Sequence, residues 1–206
     1  MGEPGEKGRI VGTVGTSGAV LGVDPGSTNG GAVLLDADAV RVWWAWTWLR
    51  GKGGRYRVTR GDAGGVSVAE VATMHDVALG LARSGPWAVA VVEGLYVPPP
   101  RRGRRVNPQS VVPLAEAAGE LLGPVRASAG RLERPLASVW RRDVLGAAGA
   151  TARDAEARAR LWAMRALRWP CEAEGVVTEG EAGAVAEAAC MASWGLRVIG
   201  SRQEER

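Results

Sequence analysis

The sequence predicts a mixed α/β sheet with helices on both of its faces, and three observations carry that expectation. Short apolar runs at residues 20–24, 32–35 and 40–48 are separated by turn-rich strings, the pattern of an antiparallel meander. A continuous apolar run at 87–92 (WAVAVV) suits a strand buried on both sides. Segments with helical spacing then alternate with the later strands, and such an order folds as a sheet covered by helices. The chain has 206 residues, enough for one domain, with 46% hydrophobic and 23% charged residues to supply a core and a surface.

In the first run, VLGVD ends in Asp24 and is followed by the turn string Pro25-Gly26-Ser27-Thr28-Asn29-Gly30-Gly31. The third run alternates, placing Val42, Trp44, Trp46 and Trp48 on one strand face and Trp43, Ala45 and Thr47 on the other. A tryptophan row of this kind reads as core packing under a covering helix. Residues 51–65 are glycine-rich and basic and read as a flexible loop or a small hairpin. Helix signals begin at Ser67, with Val68, Val71, His75, Leu79 and Ala82 at helical spacing and Gly85-Pro86 as the stop. His75, the sole histidine, lies on that stripe and reads as a hydrogen-bonded core group, so a histidine metal cluster is excluded.

After the 87–92 strand comes Glu93, then a proline-rich loop. Asn107 followed by Pro108 caps a helix running to about residue 122. Residues 135–140 read as the last strand. Thr151 with Asp154 forms a capping box for a helix to about 168, and a final helix spans about 181–194. Residues 1–18 are expected to be a flexible N-terminal segment, 19–196 the folded domain and 197–206 a tail. No apolar run approaches the roughly 18–20 residues of a membrane span, and no secretory h-region precedes the first strand. With two cysteines, Cys171 and Cys190, a disulfide framework is excluded, and a reduced, cytoplasmic setting is expected.

The net charge is +4, and every basic residue except Lys7 and Lys52 is arginine. Guanidinium groups hold phosphates bidentately, so nucleic acid is a fair partner; GC-rich codons favour arginine too. Two acids, Asp24 and Glu93, end apolar strands, where a carboxylate faces a cleft and can share a divalent cation. A third, Glu187, stands among Ala186, Ala188, Ala189 and Ala192, on a helix face narrow enough to approach the sheet.

These residues resemble the RuvC-like Holliday-junction resolvases of the ribonuclease H-like superfamily. The matching segments are residues 20–27 (VLGVDPGS), 91–93 (VVE) and 184–192 (AVAEAACMA), and the likeness spans roughly 20–194. It implies an α/β, ribonuclease H-like five-stranded mixed sheet, a homodimer, and nicking of branched DNA by two Mg²⁺ ions, with Mn²⁺ as a substitute. Asp24, Glu93 and Glu187 would be the catalytic and metal-binding carboxylates. One position departs from the pattern. The family's last helix carries two acids three residues apart, but Ala184 stands where the first should be. Glu181 is a poor substitute, since six residues turn a helix by about 600° and point it away from Glu187. Natural loss and an introduced Asp→Ala change both account for Ala184; the second is favoured because the other three acids stand.

Basic residues would hold the DNA. Arg101, Arg102, Arg104 and Arg105 follow Glu93 closely, Lys52, Arg55, Tyr56, Arg57 and Arg60 fall in the glycine-rich segment, and Arg141 and Arg142 follow the expected last strand. Such contacts position a substrate without reading its sequence. The helix after Asn107 is apolar on most sides (Val111, Val112, Leu114, Ala118, Leu121, Leu122), which suits a dimer contact. The sequence therefore predicts an Mg²⁺-dependent endonuclease for four-way DNA junctions, from a bacterium or its virus, that Ala184 leaves slow or inactive. A non-catalytic branched-DNA-binding protein is the alternative. An actin-like phosphate-binding fold also begins with such a hairpin, but needs two domains where 206 residues supply one.

Overall fold

A computed structural model describes residues 18–36, 42–62, 65–95, 107–146, 152–166 and 179–203. Seven strands form one mixed sheet: β1 (Val20–Asp24), β2 (Asn29–Leu35), β3 (Val42–Arg50), β4 (Tyr56–Asp62), β5 (Gly65–Val71), β6 (Trp87–Val92) and β7 (Ala129–Glu133). Their order is β5-β4-β3-β2-β1-β6-β7. The first five pair antiparallel in sequence order, while β6 runs parallel to β1 and β7 parallel to β6. The helices are α1 (Met74–Ala82), α2 (Pro108–Ala127), α3 (Ala137–Leu145), α4 (Ala152–Ala166) and α5 (Glu179–Gln203).

Alternation along β1 separates two cores. Leu21 and Val23 face the side covered by α1 and α2, where Trp44, Trp48, Leu81, Trp87 and Leu121 are packed. Val20 faces the opposite side with Val33, Val91, Trp140 and the alanines of α5. The fold is thus a mixed α/β sheet with helices on both faces, as the sequence predicts. Trp44 and Trp48 of β3 are core residues, and Trp46 packs against them partly buried. A register irregularity opposite Leu34 and Leu35 moves Val42 to the α5 face beside Ala45, where simple alternation had grouped it with Trp44.

Among the described residues the sheet has seven strands rather than five. Residues 56–62 and 65–71 form the hairpin β4–β5, so the glycine-rich segment is a strand for most of its length and not a mobile basic loop. Val66, Val68 and Val71 also fit two-residue alternation partly, and the helical reading of 67–71 took the wrong period. The helix starts instead at Thr73, whose hydroxyl accepts from the Asp76 amide while the Asp76 carboxylate accepts from the Thr73 amide. Its buried stripe is Met74, Val77, Ala78 and Leu81, which leaves His75 exposed and not a core group.

Among the described residues the last strand is β7, at 129–133, and most of the 135–140 segment expected to be that strand belongs to the helix α3. In AGRLE a half-exposed edge strand carries no apolar run, whereas Trp140 and Val144 are one helical turn apart and both buried. Asn107 caps α2 as expected, accepting from the Gln109 amide, but the helix continues to Ala127. Helix α5 continues past residue 194 to Gln203, so residues 197–203 are helical. Residues 1–17, Thr151 and Cys171 lie outside the described residues; Cys190 is buried against the sheet.

Close approach of α5 positions the site. From 181 to 193 the helix is buried nearly all round, and its alanines bring the backbone onto β1 and β2. Two glycines make this possible. A β-carbon at Gly22 would lie 2.6 Å from the Ala192 nitrogen, and one at Gly31 would lie 2.7 Å from the Ala184 carbonyl carbon. Any side chain there would lift the helix off the sheet. Among the described residues, no helix is long and apolar enough to cross a membrane.

Candidate metal centre

Val20, Gly22 and Asp24 share the α5 face of β1, and Val89, Val91 and Glu93 share it on β6 by the same two-residue period. The parallel register pairs Val23 with Val92, and the Glu93 amide donates to the Val23 carbonyl at 3.2 Å, so Asp24 and Glu93 leave the sheet side by side. Beyond Asp24, the turn is pinned by the Trp48 indole, which donates to the Gly26 carbonyl. Beyond Glu93, the Gly94 amide donates to the Pro135 carbonyl, tying this strand end to the start of α3. Helix α5 then places Glu187 over both.

Carboxylate oxygens of Asp24, Glu93 and Glu187 lie within 4.8 Å of one another. The sequence-predicted triad is therefore one cluster. Arg141 on α3 reaches into it, Nη2 donating to Glu187 Oε1 at 2.8 Å, with its guanidinium over the Trp140 ring. Burial and the neighbouring Glu187 and Glu93 charges push the Asp24 carboxyl well up, with Arg141 opposing. Burial and then Glu187 raise Glu93 to about 7, against the pull of Arg141. The Trp140 indole lies near enough to lower Glu93 slightly but outside hydrogen-bond geometry. Burial also raises Glu187, though less freely because Arg141 holds it.

Three carboxylates against one guanidinium leave an excess of negative charge in a low-dielectric setting. The donors are all hard oxygens, the set that suits Mg²⁺ or Mn²⁺ rather than a soft transition metal. Two buried donors beside the cluster, Trp140 Nε1 and Arg141 Nε, have no hydrogen-bond partner among the described residues. The residues thus fit a divalent cation with an oxygen-rich ligand.

Ala184 is buried against Gly31, the β2 partner of Asp24, and contributes only a methyl group. Glu181 is fully buried and turned away, accepting from Thr47 Oγ1 at 2.9 Å and Arg57 Nη2 at 2.6 Å. Arg57 is thereby drawn to the α5 face, Tyr56 is buried, and Arg60 lies over the Trp46 ring at 5.6 Å. Lys52 and Arg55 are exposed, Arg55 within 3.9 Å of Glu70. Arg142 is exposed on α3 and holds Asp143. Arg101, Arg102, Arg104 and Arg105 lie outside the described residues.

Sequence reasoning missed two neighbours of the cluster. Trp140 was placed on a strand, and only the i, i+4 pair with Val144 could have moved it to a helix. Glu156, on the Arg-rich α4, adds negative charge felt by both Asp24 and Glu187. Nothing local marks it.

The fold and its carboxylates define a mixed α/β protein with a candidate divalent-cation centre at the ends of two central strands. Two solved structures similar to this chain are of RuvC from Thermus thermophilus. The first is 16% identical, with a TM-score of 0.45, covering 87% of this chain and 96% of that one. The second, in complex with Holliday junction substrate, is 15% identical, with a TM-score of 0.45, covering 86% and 94%. No protein-family model and no curated protein matches the chain.

Proposed function

We propose that the chain is a structure-selective endonuclease that hydrolyses phosphodiesters of four-way DNA junctions, acting as a homodimer. The observation that carries this reading is the meeting of Asp24, Glu93 and Glu187 from three separate elements within 4.8 Å, at the residues of the resolvase-like motifs. Mg²⁺ is the proposed cofactor, with Mn²⁺ as a substitute, held by these three carboxylates. When bound, a pair of such ions supplies Lewis acidity to the attacking water and to the leaving oxygen.

The chain's own groups supply the rest. Asp24 and Glu93 are fixed by the sheet, and Glu187 by a helix that glycines let onto it, so the donor geometry is set before substrate arrives. Arg141 holds Glu187 in place through Nη2, and its buried Nε–H has no partner among the described residues. In the net reaction a water oxygen bonds to phosphorus, one P–O ester bond breaks, and the leaving oxygen gains a proton. Exposed Lys52, Arg55 and Arg142, with Arg101, Arg102, Arg104 and Arg105, are proposed as backbone contacts. On α2, Val112 is 50% exposed and is proposed to meet its twin across the dimer.

Ala184 favours a second reading, a branched-DNA-binding protein without catalysis. Cleavage of a labelled synthetic junction in Mg²⁺, comparing the chain with Ala184→Asp and Asp24→Asn, separates the two. Cutting that Asp24→Asn abolishes in both backgrounds, with junction binding retained, is the expected result. Binding without cutting by the chain and by Ala184→Asp would favour the second reading. Cutting that survives Asp24→Asn would overturn the site.

A further inference from the structure

The proposed site has one carboxylate fewer than the resemblance implies, and the structure brings another acid to its edge. Helix α4 packs on α5 through Ala155, Ala159 and Ala163, all buried one turn apart. Glu156, next to that stripe, crosses to α5 and lies against Gly183. A β-carbon at 183 would sit 2.6 Å from Glu156 Cγ and would fall on the carboxylate itself. The absent side chain at 183 is what admits it.

Position 183 matters because it is four residues before Glu187. On a helix, i and i+4 are stacked on one face about 5–6 Å apart, and side chains lean towards the N-terminus. Glu187 therefore leans towards the slot that Glu156 fills. Ala184, at i−3 from Glu187, borders the same slot. The indole N–H of Trp140, fully shielded from solvent, lies beside Glu93 on the other side of the cluster, outside hydrogen-bond geometry to it and without another partner among the described residues. Charge balance agrees: three carboxylates less one guanidinium fall short of two divalent cations, and a fourth acid narrows the gap.

Resting on the endonuclease reading above, we propose that Glu156 is the fourth carboxylate of the cation site, reaching across from α4 to stand in for the acid absent at 184. Glu156 stands outside the 4.8 Å group of Asp24, Glu93 and Glu187, and its charge acts on Asp24 and Glu187 only weakly, as suits an acid at the edge of the cluster. Ala184 is then a relocation of the ligand and not a loss.

The test is Mn²⁺ binding to the full chain, read by titration calorimetry and by the Mn²⁺ spin-resonance signal, without DNA. Glu156→Gln is expected to weaken one Mn²⁺ equivalent by about tenfold or more, a loss of about 1.4 kcal/mol. Ala184→Asp in that background should restore it, and Gly183→Ala, which displaces the Glu156 carboxylate, should reproduce the loss. Asp24→Asn should remove binding altogether. Unchanged Mn²⁺ affinity in Glu156→Gln, with loss in Asp24→Asn, would overturn the role of Glu156 alone. Unchanged affinity in both would overturn the cation site as well.

Discussion

Two carboxylates on α5, six residues apart, show how differently one helix treats the same side chain. Glu181 is fully buried, yet Thr47 and Arg57 both donate to it, so its charge is matched. Glu187 is less buried, but it faces two further acids and has one guanidinium to share with them. The first arrangement fastens the N-terminal end of α5 to β3 and β4. The second holds like charges together at the expense of stability, a pattern typical of sites that bind something. Burial alone does not mark a functional acid; unmatched company does.

The largest expected effect falls on the matched acid. Glu181→Ala leaves Thr47 and the partly exposed Arg57 without their acceptor and should destabilise the fold by about 2–3 kcal/mol in urea or thermal unfolding, while Mn²⁺ affinity of the folded fraction is retained. A loss below about 1 kcal/mol would mean that the two ends of α5 are alike after all.

A smaller effect, of the opposite sense, is expected from pH. Carboxyls that sit higher in the folded chain than in the unfolded chain bind protons on folding, so folding is favoured where they remain protonated. Stability in a chelator should therefore fall as pH rises from about 4.5 to about 7, the interval over which Glu93 is shifted. The loss should be of order 2 kcal/mol or less, and Mn²⁺ should offset it at the upper end. Stability that rises across this interval would contradict unmatched acids at the cluster.

Glu187→Gln sharpens the contrast further. It removes a repelling charge together with the Arg141 pair, so stability should change by no more than about 1 kcal/mol, with Mn²⁺ binding lost. Weakest of all should be Lys52→Ala with Arg55→Ala, on the exposed turn beyond β3. If each touches one phosphate, the slope of log K against log salt for junction binding falls by about one for each. An unchanged slope would assign them to the solvated surface.

Much of this contrast was legible in the sequence. Asp24 and Glu93 follow apolar strands, and two-residue alternation places each on a defined face. The 600° rotation between residues 181 and 187 already separates the two acids of α5. Less was legible at β4–β5 and β7, because edge strands need no apolar run, and valines at 66, 68 and 71 fit a helix nearly as well as a strand. His75 looked buried only because that helix was begun six residues before its cap at Thr73.

By itself the sequence determined the meander, the strand buried on both faces, the alanine-rich last helix and the three acids of the cluster, since each rests on local periodicity or on a residue at a strand end. Only the tertiary structure decided what surrounds those acids. Arg141 and Trp140 arrive because the Gly94–Pro135 contact docks α3 beside Glu93, and Glu156 arrives because Gly183 leaves room for it. These partners lie tens of residues from the carboxylates they meet. Their proximity is set by how helices pack on the sheet, and no periodicity along the chain encodes a distance between two packed elements.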